Sequence, residues 1–125
     1  MAKIAIIDDD PDIIEAITLL LRVNEHTVLS AGNVREGFEL IQKEKPDLVI
    51  LDVMMDEPDD GFFLAIKLRK KGFTMPLFML TSVSKALGLE FGPGESLPVD
   101  EFIEKPVSPK VLLEKINHHL NLGEV

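Results

Sequence analysis

Short apolar runs alternate with amphipathic stretches from one end of the chain to the other. Leu48-Val49-Ile50-Leu51 places four apolar residues in a row and ends on Asp52. That is the pattern of a strand buried on both faces, as in parallel sheets. Ile4 to Ile7 forms a second such run, stopped by Asp8-Asp9-Asp10-Pro11-Asp12. Pro76 opens a third, Leu77-Phe78-Met79-Leu80, which ends on Thr81-Ser82. Thr27 to Ala31 reads as an edge strand, and Glu101 to Glu104 as a short last strand closed by Lys105-Pro106.

Helical spacing fills the intervals. Asp10 as N-cap and Pro11 at the first helical position start a stripe of Ile13, Ile14, Ile17, Leu20 and Leu21. Asn24-Glu25-His26 reads as a turn. Asn33 with Glu36 resembles a capping box, followed by Val34, Phe38 and Ile41 on one face. Lys45-Pro46-Asp47 breaks that helix. A third helix runs from Gly61 to about Lys71, although Phe62, Phe63, Leu64, Ile66 and Leu68 do not share a face. Ser108 and Pro109 begin the last one, with Leu112, Leu113, Ile116 and Leu120 inward. His118 and His119 lie near its end, where cations suit the helix dipole. From Ser84 to Asp100 the breakers Gly88, Gly92-Pro93-Gly94 and Pro98 predict a short or mobile fourth helix. Five alternations of strand and helix with short connections predict an α/β fold, a doubly wound parallel sheet covered on both faces.

The 125 residues fit one domain, and with no repeat or linker the chain reads as 1–125, core about 3–121, without an attached effector domain. A net charge of −9 argues against direct nucleic-acid binding, which needs a cationic footprint. The absence of cysteine removes disulfides, thiolate metal sites and Cys nucleophiles. No apolar run approaches a bilayer span and Met1-Ala2-Lys3 begins no signal peptide, so a cytoplasmic protein without membrane contact is expected.

Candidate chemistry gathers at the predicted strand ends. Asp8-Asp9 follow the first strand, Asp52 ends the third, Thr81 the fourth, and Lys105 follows the fifth. In a parallel sheet these ends share one edge, where open α/β sheets place their ligands. Three carboxylates there repel one another unless protonated or bridged by a cation. Oxygen ligands alone favour a hard ion, Mg²⁺ above all beside phosphate chemistry.

In these residues the chain resembles the receiver domains of two-component response regulators over essentially its whole length. The acidic pair of that family matches Asp8 and Asp9, its phosphorylated Asp matches Asp52, its Thr/Ser matches Thr81 with Ser82 beside it, and its Lys-Pro matches Lys105-Pro106. The resemblance implies a flavodoxin-like, three-layer αβα fold with sheet order 2-1-3-4-5. It implies phosphoryl transfer from a histidine kinase or histidine phosphotransfer domain to Asp52. Mg²⁺ (or Mn²⁺) is expected on Asp9, Asp52 and the Met54 backbone carbonyl, with Asp8 reached through a water. Lys105 adds a second cation, aimed by Pro106, and the Thr81 hydroxyl donates to the phosphoryl group. Phe102, three residues before Lys105, is the expected switch aromatic. The surface of the fourth helix, fifth strand and fifth helix then changes affinity for a downstream protein. Dimerisation on phosphorylation stays open. Such a protein is no enzyme beyond catalysing its own phosphorylation and dephosphorylation. The alternative is a receiver-like interaction module that acts without phosphorylation.

Plainer readings fit some of these residues. Asp10 and Asp12 suit the positive end of a helix dipole. A calcium loop on Asp8, Asp10 and Asp12 fails, since Ile13 stands where its Gly belongs and Leu19 where its Glu belongs. A haloacid-dehalogenase-type phosphatase needs a second Asp where Met54 stands, and a flavodoxin-like FMN site would not place three aspartates against phosphate. Two departures from the receiver pattern stand out. The loop Met55 to Gly61 is one residue longer and more acidic than usual, and the fourth-helix segment is rich in breakers. Apolar Met54 and Val83 flank the expected path of an attacking water, which predicts slow self-dephosphorylation.

Overall fold

The computed structural model describes residues 2–53, 55, 60–81 and 99–120. Along the chain come β1 (Lys3–Ile7), α1 (Pro11–Val23), β2 (Thr27–Ala31), α2 (Val34–Glu44), β3 (Leu48–Asp52), α3 (Asp60–Lys70), β4 (Leu77–Thr81), β5 (Glu101–Glu104) and α4 (Pro109–Leu120). The strands form one sheet in the order β2-β1-β3-β4-β5, and every neighbouring pair is parallel. This is the doubly wound sheet that the strand and helix alternation predicts.

Side-chain alternation along the strands builds a core on each face of the sheet. Ile4, Ile6, Leu48, Ile50, Phe78, Leu80 and Ile103 point to one side, where Ile17 and Leu21 of α1 and Leu112 and Ile116 of α4 cover them. Ala5, Ile7, Val49, Leu51, Leu77 and Met79 point to the other, against Phe38 and Ile41 of α2 and Leu64, Ala65 and Leu68 of α3. β3 and β4 are buried at every position, which is why their sequences read as continuous apolar runs.

The helix ends follow their local chemistry. Asp10 Oδ1 accepts the Asp12 N–H at 2.9 Å, and Asn33 Oδ1 accepts the Glu36 N–H at 2.8 Å. Each bond satisfies one of the orphan donors of a first turn. Ser108 caps α4 through its hydroxyl, 3.4 Å from the Val111 N–H. Lys45 closes α2 in the left-handed region, its N–H donating to Ile41 O at 2.9 Å. α3 explains its own noisy pattern. Leu64, Ala65 and Leu68 make the buried face, while Phe63 and Ile66 are 66% and 42% exposed. His26 closes the turn at residues 24–25 and is buried, and its Nδ1 accepts the Ala2 N–H at 3.1 Å. The expected short fourth helix lies outside the described residues.

Candidate functional site

Register brings the strand ends to one edge. Ile7 pairs with Leu51, Asp52 with Leu80 and Thr81 with Glu104, so residues just beyond these positions converge. Backbone bonds continue the ladder past the strands. Asp8 N–H donates to Ala31 O at 3.0 Å, Val53 N–H to Leu80 O at 3.0 Å, and Lys105 N–H to Thr81 O at 2.9 Å. These bonds fix where each side chain leaves the sheet.

Asp8, Asp9 and Asp52 each place a carboxylate oxygen within 4.8 Å of the other two. Lys105 reaches into the cluster, its Nζ 3.2 Å from Asp52 Oδ1 and 3.7 Å from Asp8 Oδ2. Asp8 and Asp52 are buried and Asp9 is exposed. Asp8 Oδ1 accepts the Asp10 N–H at 2.9 Å, whereas Asp8 Oδ2 is buried without a hydrogen-bond partner. Burial pushes the Asp8 carboxyl up to about 6; the Asp52 charge adds to this, and the Asp10 N–H and the Lys105 ammonium oppose it. One lysine does not neutralise three carboxylates. A buried oxygen without a hydrogen bond, in an all-oxygen donor set with surplus negative charge among the described residues, fits a hard divalent cation.

Thr81 is fully buried at the end of β4. Phe102 on β5 is half-buried, packs with the α2–α3 side of the core, and lies 6.2 Å ring to ring from Phe62 at a tilt of 53°. Pro106 is exposed, and the Lys105–Pro106 peptide is cis. The expected roles of Met54, Ser82 and Val83 fall on positions outside the described residues. So the structure brings Asp8, Asp9, Asp52 and Lys105 together and sets Thr81 at the same sheet edge.

A family model described as the response regulator receiver domain matches residues 4–117. The chain belongs to the receiver domain family. It is 31% identical over 127 residues to the alkaline phosphatase synthesis transcriptional regulatory protein PhoP of Bacillus subtilis (strain 168). That match covers 98% of this chain and 50% of the relative, so the chain spans about half the relative's length. Among solved structures it is similar to the BeF3-activated N-terminal receiver domain of Klebsiella pneumoniae RstA. The two share 32% identity and a TM-score of 0.79 over 94% of this chain and 97% of that one. A putative response regulator from Chloroflexus aurantiacus J-10-fl matches with 28% identity and a TM-score of 0.81, over 96% and 98% of the two chains. Receiver domains serve two-component signalling and bind Mg²⁺ in an acidic pocket, and the aspartate cluster of this receiver could hold such an ion.

Two features of this receiver carry no local signal in its sequence. An apolar groove of about 260 Å³ runs beside the site, lined by Ile13, Ile17 and Leu20 of α1 and by Pro106, Val107 and Pro109. Its α1 residues were legible as a helical stripe, but nothing local showed that part of the stripe stays uncovered. Gly61 is legible in the sequence as the start of a helix, but its close approach to the Asp52 backbone is not.

Proposed function

We propose that this chain is a phosphoacceptor, in which Asp52 takes a phosphoryl group from a phosphohistidine of a histidine kinase or histidine phosphotransfer domain. The observation that carries this reading is the Lys105 ammonium 3.2 Å from Asp52 Oδ1 within a three-carboxylate cluster at the sheet edge. A nucleophile, a cation for the developing charge and a cation-hungry pocket then occupy one place.

The step is an in-line displacement. An Asp52 carboxylate oxygen forms a bond to phosphorus, the P–N bond to the donor imidazole breaks, and its electron pair stays on the ring nitrogen. The products are an aspartyl phosphate and a free imidazole. Lys105 shifts its ammonium from carboxylate to phosphoryl oxygen as charge moves outward. Asp9, Asp52 and the Met54 carbonyl would hold Mg²⁺ (or Mn²⁺), with Asp8 acting through a water. When bound, the ion offsets charge on the phosphoryl oxygens and on the carboxylates that would otherwise repel the donor. The Thr81 hydroxyl donates to a phosphoryl oxygen, and Phe102 repacks into the space that Thr81 vacates. The surface of β5 and α4, with the fourth-helix segment, then changes its affinity for a downstream protein.

The donor's docking face has physical support. The apolar groove of α1 lies beside Pro106, next in the chain to Lys105, and suits an apolar helix face. Asp9, Asp10, Asp12 and Glu15 are exposed along the same border, so the partner should carry cations around its histidine. We take the chain as one receiver unit acting in the cytoplasm. Among the described residues no helix is long and apolar enough to cross a membrane.

Intact mass after incubation with Mg²⁺ and acetyl phosphate tests the reading. One phosphoryl group should appear on wild type, not on Asp52→Asn, and not with chelator. No adduct on wild type together with no binding of beryllofluoride, a stable phosphoryl mimic, would sink it in favour of a module that signals without phosphorylation.

A further inference from the structure

We infer that Gly61 is a positioning residue for the acceptor site, because α3 begins directly on the backbone that carries Asp52. The inference rests on the phosphoacceptor reading above. Gly61 N–H donates to Val53 O at 2.9 Å, and Val53 N–H donates to Leu80 O at 3.0 Å. Val53, the residue after the acceptor, is therefore held at both its N–H and its carbonyl, by β4 and by the first turn of α3.

Only a glycine permits this seat. A Cβ at position 61 would overlap the Asp52 carbonyl oxygen and stand 2.7 Å from Val53 Cα and 2.9 Å from Met79 Sδ. Met79 can rotate away, but the two backbone atoms cannot. Any side chain must therefore push α3 off β3 or shift the Asp52–Val53 backbone itself. Gly37 offers the contrast, because the three atoms nearest to a Cβ there all belong to the Ile7 side chain, the closest at 2.7 Å. Gly37 crowding disturbs packing between α2 and β1, whereas Gly61 crowding moves the acceptor's own main chain.

Two consequences follow for the site. The Val53 carbonyl already accepts from the Gly61 N–H, so its orientation is set by the first turn of α3. The Val53–Gly61 bond also ties both ends of the β3–α3 connection together. The backbone that carries Asp52 is thereby anchored to the start of α3.

Gly61→Ala and Gly37→Ala should be compared for thermal stability, Mg²⁺ affinity by titration calorimetry, and acetyl phosphate labelling. We expect both to lose stability, but only Gly61→Ala to lose Mg²⁺ affinity, by about tenfold or more, with labelling slowed in step. A folded Gly61→Ala that binds Mg²⁺ within about twofold of wild type overturns the inference. Wild type that neither binds Mg²⁺ nor labels overturns the phosphoacceptor reading, and this inference with it. Should Gly61→Ala not fold, amide exchange on wild type decides. Protection of the Gly61 N–H should rise about tenfold with saturating Mg²⁺, and unchanged protection overturns the proposal.

Discussion

Asp8 shows at the scale of one residue how the site trades stability for charge. Its carboxylate is fully buried, one oxygen has no hydrogen-bond partner, and Asp52 lies beside it. Asp8→Asn keeps an oxygen for the Asp10 N–H and removes the buried charge. The metal-free variant should therefore be more stable than wild type by about 1–3 kcal/mol in urea unfolding with chelator present. Its Mg²⁺ affinity should fall at the same time. A variant less stable than wild type without metal would show that the charge is already well compensated. His26 supplies the opposite kind of burial. Desolvation lowers its pKa from the usual 6.5, and its bond from the Ala2 N–H needs the unprotonated Nδ1. The unfolded chain thus binds a proton that the folded one refuses. Stability is unpenalised above about 6.5 and is lost as pH falls from there toward the folded pKa. Against His26→Gln, the advantage of wild type should shrink between about pH 7.5 and 5.5; a constant difference would refute this. The sequence showed strand-end carboxylates plainly, since Asp8, Asp9 and Asp52 each follow an apolar run. It did not show that Asp8 is buried and Asp9 exposed, nor that His26 turns inward. Those depend on what the neighbouring elements cover.

Elements whose information is local were legible in full. β2, β5 and the caps of α1 and α2 lie where alternation, Pro11, Asp10 and Asn33 put them. α3 was harder, because Phe63 and Ile66 add apolar residues outside its buried face. Its last turn also hides a long-range role. Arg69 looks like an ordinary C-terminal cation, yet Nη1 donates to Phe73 O and Met75 O at 2.9 Å each, and Nη2 to Asp100 Oδ2 at 3.0 Å. That same Asp100 oxygen accepts the Leu77 N–H at 2.8 Å. One guanidinium thus ties the end of α3 to the starts of β4 and β5. Arg69→Met should cost about 2–3 kcal/mol in urea unfolding, since it strands carbonyls that are partly buried. Asp100→Asn retains an acceptor for Leu77 and should cost less. These groups sit at the start of the strands, away from the carboxylates, so Mg²⁺ affinity should stay at the wild-type value. A matching loss of Mg²⁺ affinity in Arg69→Met would mean that the clamp also shapes the acceptor edge.

The whole molecule carries a net charge of −9, and its parallel sheet gathers three of its carboxylates at one edge, where Lys105 is the one cation among the described residues. The fold therefore holds the repulsion at that edge in place for a ligand to relieve. Mg²⁺ that binds the folded cluster and not the unfolded chain should stabilise the protein by about 2.7 kcal/mol at a hundred times its Kd. In a domain of this size that is a rise of roughly 10 °C in Tm. An acidic protein also gains from simple screening, so NaCl of matched ionic strength is the necessary comparison. Site binding predicts a Mg²⁺ shift well above the NaCl shift, reversal by chelator, and a smaller shift in Asp52→Asn, which lacks one of the carboxylate charges. Equal shifts with Mg²⁺ and matched NaCl would reduce the cluster to general acidity. A full-sized shift in Asp52→Asn would move the ion away from the acceptor.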